Sequence, residues 1–565
     1  MQKRFMLCLI LATGPAGAGA CRHADPADMV LRHGAIYPLA SDSLRVETLA
    51  LRDGRVVYLG EDAGARRLIG GHTTVLELQG RMVLPAFRDT HLHPSEGVGL
   101  SECRFDELRT REAILDSLRH CATGHPELSW IRGRGWQLPV FPNANPRKEW
   151  LDSLVPDRPV FLTAADGHSA WVNTKGLELA GVTRETRDPP NGRIERDPKT
   201  GAPSGTLRER AMDLVARQLP ERTQAELRDG LLRAIRLANS FGIVALHDAS
   251  ASPAVLQAYS ALDSSGQLNA RVIAASYVDP TAGTAQVDSL RAWRGRYPGR
   301  RYFSASAAKL FVDGVIEAKT AALLAPYLDG SGKSGTPNLS PAALDTLVAA
   351  IDAAGFQVHQ HAIGDGAVRM ALDALEFARR HNGPRDARPI IAHLELIDST
   401  DIPRFAQLGV IPSFQPLWAY ADDYITRLTE PVLGPERSRW LYPIGSVART
   451  GAHLAAGSDW AVSSMNPLEA IQVAVTRRAP QAGPGPAWLP EQAVDLRTIL
   501  EAYTAGGAYA AGEEATRGTL ELGKAADLIV LDRDLFRIPA VQIHAARVLL
   551  TVLDGKTVWR DRSLR

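Results

Sequence analysis

The fold is decided by the stretch Leu84-Pro85-Ala86-Phe87-Arg88-Asp89-Thr90-His91-Leu92-His93-Pro94. The apolar run that opens at Met82 predicts one short buried β-strand, from Met82 to His91, that is stopped by Pro94. Side chains two positions apart on a strand point the same way, so His91 and His93 should leave its end together. Two converging imidazoles suit a divalent transition metal, although a chain with 15 histidines also produces such a pair by chance. Further candidate ligands at the ends of later strands would favour a metal site over a chance pair.

The composition is that of a globular enzyme with two or three structural units. The chain has 565 residues, a net charge of +1 and 45% hydrophobic residues. Because the sequence lacks a basic run, we do not expect nucleic acid as a partner, and we expect a small-molecule substrate instead. The sequence is compatible with a homodimer. After the first twenty residues, no apolar run is long enough to span a membrane.

Residues 1–20 are typical of a signal peptide. They combine a charged end at Lys3 and Arg4, an apolar core and a small-residue cleavage site at 18–20. Cleavage would fall before Cys21, which also resembles a bacterial lipoprotein box, so secretion and lipidation predict the same cut. We therefore expect an exported bacterial protein, periplasmic or anchored to a membrane by a lipid on Cys21. The alternative is that these residues are an irregular N-terminus of a cytosolic protein.

The remaining cysteines are compatible with export. If Cys21 carries lipid, Cys103 and Cys121 can form one disulfide in an oxidising compartment. Free thiols at these positions are the alternative.

The sequence pattern at both ends of the chain predicts short strands joined by tight turns. In residues 28–82 and 515–562, Asp53-Gly54 and Asp554-Gly555 separate alternating apolar runs, which is a hairpin signal. Neither end alone has enough strands for a stable sheet. We therefore expect the two ends to form one small composite β-sandwich.

Residues 83–100 and 221–512 alternate short apolar strands with amphipathic helices, which is typical of an α/β fold with parallel strands. Eight such units suggest a TIM (β/α)8 barrel, whose chemistry lies at the C-terminal strand ends. The predicted strands are Met82–His91, Gly242–Ala249, Ala270–Tyr277, Ala305–Asp313, Phe356–Ala362, Pro389–Leu394, Val410–Gln415 and Ala452–Asp459.

Residues 101–220 interrupt this rhythm between the first and second strands. We interpret them as an inserted α+β subdomain near the active-site mouth, because such insertions often form lids or substrate walls. A stabilising excursion remote from the site is the alternative.

Four later strands carry further candidate ligands. Lys309 lies in an apolar strand, where burying an ammonium is costly, although a snorkelling side chain would explain it as well. His361 ends strand five, but His359 shares its face, so spacing alone cannot say which of them binds metal. His393 ends strand six. Asp459 ends strand eight and is a catalytic candidate, with a helix N-cap as the alternative.

Together these positions resemble the amidohydrolase superfamily, which carries His-x-His on strand one, Lys on strand four, His on strands five and six, and Asp on strand eight. Several phrases resemble its YtcJ-like branch (amidohydrolase family 3), which includes N-substituted formamide deformylases: Trp130–Trp136, Gly167–Asn173, Phe311–Gly314, His361–Asp365 and Gly457–Trp460. The resemblance covers residues 28 to 562. It implies a distorted TIM barrel with a composite β-sandwich, and it favours His361 over His359.

The resemblance also implies a site for one or two divalent ions, with zinc as the expected metal. His91 and His93 would hold one ion, and His361 and His393 the other. Lys309, carboxylated by CO₂, would bridge the two ions. Asp459 would ligate one ion and serve as general base and then general acid in hydrolysis.

Three further residues are candidates for substrate binding. His168 lies in a family-like phrase of the inserted subdomain, and Gln415 and Trp418 follow strand seven. A structural hydrogen bond for His168, and core packing for the other two, are the alternatives. The expected reaction is hydrolysis of a non-peptide C–N bond in an N-substituted formamide, carbamate or N-acyl compound, by metal-activated water. An esterase or lactonase, or a non-catalytic exported regulatory or binding protein, are the alternatives.

Overall fold

The computed structural model describes residues 25–41, 45–106, 108–481 and 485–564. The expected signal peptide and Cys21 lie outside the described residues. Within these ranges, no helix has the length and apolar character needed to cross a bilayer.

A barrel of parallel strands occupies the centre of the chain and confirms the predicted α/β fold. Its strands are β1 Phe87–Leu92, β2 Ile243–Ala251, β3 Arg271–Tyr277, β4 Phe303–Phe311, β5 Gln357–Ala362, β6 Ile390–His393, β7 Ile411–Phe414 and β8 Ala455–Ala456. They lie side by side in chain order from β1 to β8. Between β8 and β1 the barrel is closed by backbone hydrogen bonds just beyond the strand ends. Asp459 N donates to His91 O (2.7 Å) and His93 N donates to Trp460 O (2.6 Å).

The prediction of one continuous strand from Met82 to His91 is wrong. Met82–Pro85 pairs antiparallel with Leu528–Leu531 in a different sheet, and only Phe87–Leu92 belongs to the barrel. Ala86 carries the chain from one sheet to the other, and its N–H donates to Asp527 O. Both strands are buried along their whole length, so the apolar run continues across the break and hides it.

Strands from both ends of the chain form two sheets around one apolar core. One sheet contains Arg55–Gly60, Thr48–Arg52, Met29–Arg32 and Thr74–Glu77, and the other contains Ala35–Ile36, Met82–Pro85, Leu528–Leu531, Val548–Leu553 and Lys556–Arg560. Leu31 and Leu49 from the first sheet pack in the same cluster as Val83, Leu528 and Leu550 from the second. Each end therefore supplies part of the core of a single β-sandwich.

Helices alternate with the barrel strands and pack against them. The longer ones are Gln224–Ser240, Pro253–Ser264, Gln286–Arg296, Pro341–Ala353, Asp365–Asn382 and Pro467–Thr476, with shorter ones at Arg404–Leu408, Ile444–Ala448 and Leu496–Glu501. The helix before β2 begins with a capping box, in which Thr223 Oγ1 accepts from Glu226 N and Glu226 Oε2 accepts from Thr223 N. Its buried face, which includes Leu231 and Ile235, packs in the same cluster as β1 and β2.

Between β1 and β2, the chain forms a separate six-stranded sheet. Its strands are Gly192–Arg196, Pro203–Glu209, Ser169–Val172, Val160–Ala164, Ile131–Trp136 and Cys103–Arg104, and its helices are Arg111–Gly124, Lys148–Asp152, Thr174–Leu179 and Asp213–Ala216. A disulfide joins Cys103 to Cys121, the pairing that the sequence allows. Arg134 fixes this sheet to the mouth of the barrel, because its guanidinium contacts Glu96 Oε2 (2.6 Å) and donates to Ala461 O (3.1 Å).

A buried ion pair joins the N-terminal end of the barrel to the sandwich. Arg271, at the start of β3, donates to Asp527 Oδ2 (2.7 Å) and to Asp554, both of which lie in the sandwich. Arg271 and Asp527 are each only 6% exposed. Removing the guanidinium would therefore take away the close cationic partner of the buried Asp527 and leave Arg517 Nε at the longer distance of 4.0 Å.

Arg271→Ala should lower the free energy of unfolding by about 3–5 kcal/mol, because an uncompensated buried charge is strongly destabilising. Urea unfolding measures this loss. The matched control is Arg119→Ala, which removes an exposed pair with Asp116 and should change stability by about 0.5 kcal/mol or less. Equal losses in the two variants would contradict this role of Arg271.

Candidate active site

The side chains proposed as metal ligands converge at the C-terminal mouth of the barrel, although they are far apart in sequence. The set is His91, His93, Lys309, His361, His393 and Asp459. All are buried except His93, whose side chain is 22% exposed. Two of them, His393 (φ 77°) and Asp459 (φ 52°), have left-handed backbone conformations. Such strain costs about 1–3 kcal/mol and is concentrated at functional sites.

The tightest cluster is formed by His91, His93 and Asp459. His93 Nε2 lies 3.0 Å from Asp459 Oδ1, and His91 Nε2 lies 3.5 Å from the same oxygen. The three ligand atoms lie within 4.8 Å of one another. Asp459 Oδ1 is buried and has no hydrogen-bond partner. A buried carboxylate oxygen facing two imidazole nitrogens fits a divalent metal, which binds such donors at about 2.0–2.2 Å.

Lys309 lies beside this cluster in a fully buried position. Its Nζ is 3.3 Å from His91 Nε2 and 4.7 Å from the centre of the Phe311 ring. Burial lowers the pKa of Lys309 to about 7, against the opposing effects of Asp459 and Asp248. A large share of the side chain is therefore the neutral amine at neutral pH.

His361 and His393 lie on the other side of the cluster. Their ring centres are 4.4 Å apart, and the His393 ring is 4.6 Å from that of His91. His393 Nδ1 is 3.9 Å from Asp459 Oδ2, is buried and has no hydrogen-bond partner. His361 Nε2 is instead 3.0 Å from Gly314 O. Only Nδ1 of His361 therefore remains free of a backbone contact.

His359, the alternative that spacing left open, lies behind His91. Its Nε2 is 2.8 Å from His91 Nδ1. In the tautomer that leaves Nε2 of His91 as a ligand, the Nδ1–H of His91 donates to His359. Such contacts orient metal-binding histidines. His359 therefore supports a ligand, whereas His361 and His393 lie beside the cluster.

Asp89 is a site residue that sequence reasoning missed. Its Oδ1 accepts from the backbone N–H of His91 (3.1 Å) and from that of Ser458 (3.1 Å). The carboxylate thus holds the His-x-His segment against the segment that carries Asp459. An acidic residue inside an apolar strand was the available signal.

His168 reaches the site from the inserted subdomain. Its Nδ1 is 2.8 Å from Glu209 Oε2, and Glu209 Oε1 accepts from Thr320 Oγ1 (2.6 Å). The rings of His168 and His361 are 5.2 Å apart. Burial opposes protonation, but the Glu209 carboxylate and its hydrogen bond outweigh it and raise the pKa of His168 to about 9. His168 is therefore a cation with Nε2–H left to donate.

A cavity of about 820 Å³ opens over these groups and is lined by His168, His361, His393 and Asp459. Trp418 also lines it and stacks on His393 at 5.7 Å between ring centres. Gln415 does not line the cavity. It is fully buried, and neither of its amide atoms has a hydrogen-bond partner.

A parallel eight-stranded barrel with a His, His and Asp cluster at its C-terminal mouth defines a class of metal-dependent hydrolases, and comparison with known proteins agrees. The chain belongs to the amidohydrolase family, which it matches over residues 74–559. It is 26% identical to the N-substituted formamide deformylase of Arthrobacter pascens, over 90% of this chain and 94% of that one. It is 30% identical to protein LONG AFTER FAR-RED 3 of Arabidopsis thaliana, over 94% and 92% respectively.

A solved structure shares both the fold and part of the sequence. An uncharacterized metal-dependent hydrolase from Pyrococcus horikoshii superimposes with a TM-score of 0.72 at 27% identity, covering 91% of this chain and 99% of that one. These relatives confirm the resemblance that the motifs indicate, and they support hydrolase activity.

His93→Ala should weaken binding of a divalent metal at least about 100-fold, because it removes a proposed ligand, and even the loss of a residue that only orients a ligand costs about 10–100-fold. Metal content after dialysis against a chelator and reloading with zinc measures this change. His120→Ala, which alters an exposed histidine on the helix Arg111–Gly124, is the control and should bind metal like the wild type. Equal metal content in both variants would exclude His93 as a ligand.

Proposed function

We propose that this protein hydrolyses a non-peptide C–N bond in an amide such as an N-substituted formamide or an N-acyl compound. The observation that carries the proposal is the buried Asp459 Oδ1, which has no hydrogen-bond partner and faces His91 Nε2 and His93 Nε2, while Asp459 itself lines the cavity. The similarity to a formamide deformylase over 90% of the chain supports an amide substrate.

His91, His93 and Asp459 would hold a first divalent ion, with zinc as the expected metal, and His361 and His393 would hold a second where two ions bind. When bound, such an ion supplies Lewis acidity and lowers the pKa of a water molecule to about 7. The ligand set fits this role because it combines neutral imidazoles with a carboxylate.

Asp459 would move the proton during hydrolysis. Its carboxylate lies on the cavity wall with one oxygen turned toward His91 and His93, so the group can accept the proton of the attacking water there and then return it to the leaving nitrogen. His168 would act on the opposite side of the scissile bond. Because Glu209 holds its Nδ1, the Nε2–H can donate to the carbonyl oxygen as negative charge develops there.

Lys309 would enter the site as a carbamate. The neutral amine attacks CO₂, a new N–C bond forms, and one proton is released, which converts the side chain into an anion. The pKa of about 7 makes the neutral amine available, and the neighbouring His91 Nε2 places the product beside the proposed metal ligands. An anionic bridge would balance the charge of cations otherwise bound mainly by neutral histidines.

Asp459→Asn should lower kcat about 10²–10⁴-fold on the best amide substrate, because the amide side chain cannot accept and return the proton. The measurement is a panel of N-substituted formamides, N-acyl amines and esters with zinc-loaded protein, together with metal analysis. We expect the variant to retain metal through the two histidines and the amide oxygen. Near-normal turnover by a metal-loaded Asp459→Asn protein would remove this residue from proton transfer, and turnover of esters alone would refute the amide proposal.

Lys309→Ala should abolish most activity, and added acetate or propionate should restore part of it by replacing the missing carboxylate. Rates measured against carboxylate concentration test this, with chloride at the same ionic strength as the control. Full activity of Lys309→Ala without any added acid would exclude a bridging carbamate.

A further inference from the structure

Two glutamates outside the metal-ligand cluster line the same cavity, and Glu395 is fully buried whereas Glu317 is half-buried. Glu395 follows His393 by two residues beyond β6 and is 1% exposed, and Glu317 lies in the loop after β4. Thr429 Oγ1 lies 3.4 Å from Glu317 Oε1 and 3.4 Å from Glu395 Oε1. The two carboxylates are therefore close neighbours. We call this pair the acidic wall.

The acidic wall lacks a charge partner in the part of the chain that the structure describes. Among the described residues, no Lys, Arg or His lies within ion-pairing distance of either glutamate. Thr429 has a single hydroxyl proton, so it can donate to only one of the two carboxylates at a time. When Thr429 donates to Glu317, the buried Glu395 is left without that donor, which is costly, and a proton or a cation must relieve it.

The surroundings of the acidic wall favour an organic cation. Tyr442 lines the cavity beside Glu395, and its backbone N–H donates to Glu395 O (2.7 Å). Trp418 and Tyr424 line the same cavity, and aromatic faces attract ammonium and guanidinium groups. Asp166 adds a further acid to this lining, and its Oδ2 is buried without a hydrogen-bond partner. Carboxyl oxygens and aromatic rings together match a nitrogen cation attached to an apolar chain.

The acidic wall is also close to the proposed reaction centre. Two residues of chain span at most about 7 Å, so the backbone of Glu395 cannot lie farther than this from that of His393. Since Asp459 and both glutamates line one cavity, a substrate whose amide lies beside Asp459 can place a group farther along its chain against the two glutamates.

We infer that the substrate is an amide that carries a second, positively charged nitrogen, an ammonium or guanidinium group, which binds between Glu317 and Glu395. This inference deepens the proposed amide hydrolysis and depends on it for the position of the scissile bond. The binding of the cation itself is independent of catalysis.

Turnover of matched amides tests the inference. The first series consists of N-formyl diamines with two to five methylene groups between the amide and the ammonium, and the second consists of N-alkylformamides in which a methyl group replaces the ammonium. In zinc-loaded wild type, kcat/KM for the best diamine should exceed that of its neutral match at least ~10-fold, as expected for a hydrogen-bonded charge. Glu395→Gln and Glu317→Gln should each reduce this ratio about 10-fold. Asp423→Asn, which alters an exposed acid at the start of the helical segment that contains Thr429, is the control and should preserve the ratio.

Binding measurements separate this inference from the proposed function. Calorimetry with n-butylguanidinium and its neutral analogue n-butylurea requires no turnover. Wild type should bind the cation at least ~10-fold more tightly, and Glu395→Gln should lose this preference while keeping the wild-type metal content and thermal midpoint. If no amide is hydrolysed but this preference holds, the amide proposal fails and the cation site stands. Equal binding of the two analogues by wild type, or loss of a metal ion from Glu395→Gln, would overturn the inference.

Discussion

The closure of the barrel between β8 and β1 is the constraint on which the site depends. The hydrogen bonds from Asp459 N to His91 O and from His93 N to Trp460 O fix the first and last strands to each other just past their ends. Asp89 adds a side-chain link, since its carboxylate accepts from the backbone of both segments. Three ligand atoms from two distant parts of the chain are thereby held within 4.8 Å. A barrel that was open between β8 and β1 would retain most of its strands but would lose the cluster of His91, His93 and Asp459.

The remaining groups of the site, next to the junction of β8 and β1, share an electrostatic property: most of them are ionisable and buried. The interior collects neutral histidines, a lysine whose pKa falls to about 7, and a carboxylate with a free oxygen, all groups for which burial is costly unless something binds them. His168 is the opposite case, because Glu209 keeps it protonated next to the cavity. These buried groups therefore lower the stability of the fold and prepare the region to bind ligands, as is general for strained and desolvated functional sites.

The barrel could be predicted from sequence because its strands are short apolar runs that alternate with amphipathic helices, and five of the eight carry a chemically unusual residue in the strand or at its end. Lys309, His361, His393 and Asp459 all stood out for that reason, and all converge as expected. The break at Ala86 could not be seen, because strands buried on both faces show no alternation that would mark where one sheet ends. Spacing could not separate His359 from His361 either, since both point to the same face and only the contact of His359 with His91 distinguishes them. The roles of Glu395 and Glu209 could not be predicted from sequence, because they depend on contacts with residues in other parts of the chain. Glu395 contacts Thr429, and Glu209 contacts His168.

The composite sandwich has a consequence for biosynthesis. Met82–Pro85 pairs with Leu528–Leu531, so a strand made early on the ribosome receives its neighbour only when translation is almost finished. Until then one edge of the N-terminal half is open to other extended chains, and edges of this kind promote aggregation. Nascent copies of this protein therefore stay exposed to such pairing for longer than a chain whose first domain folds before its last residues are made.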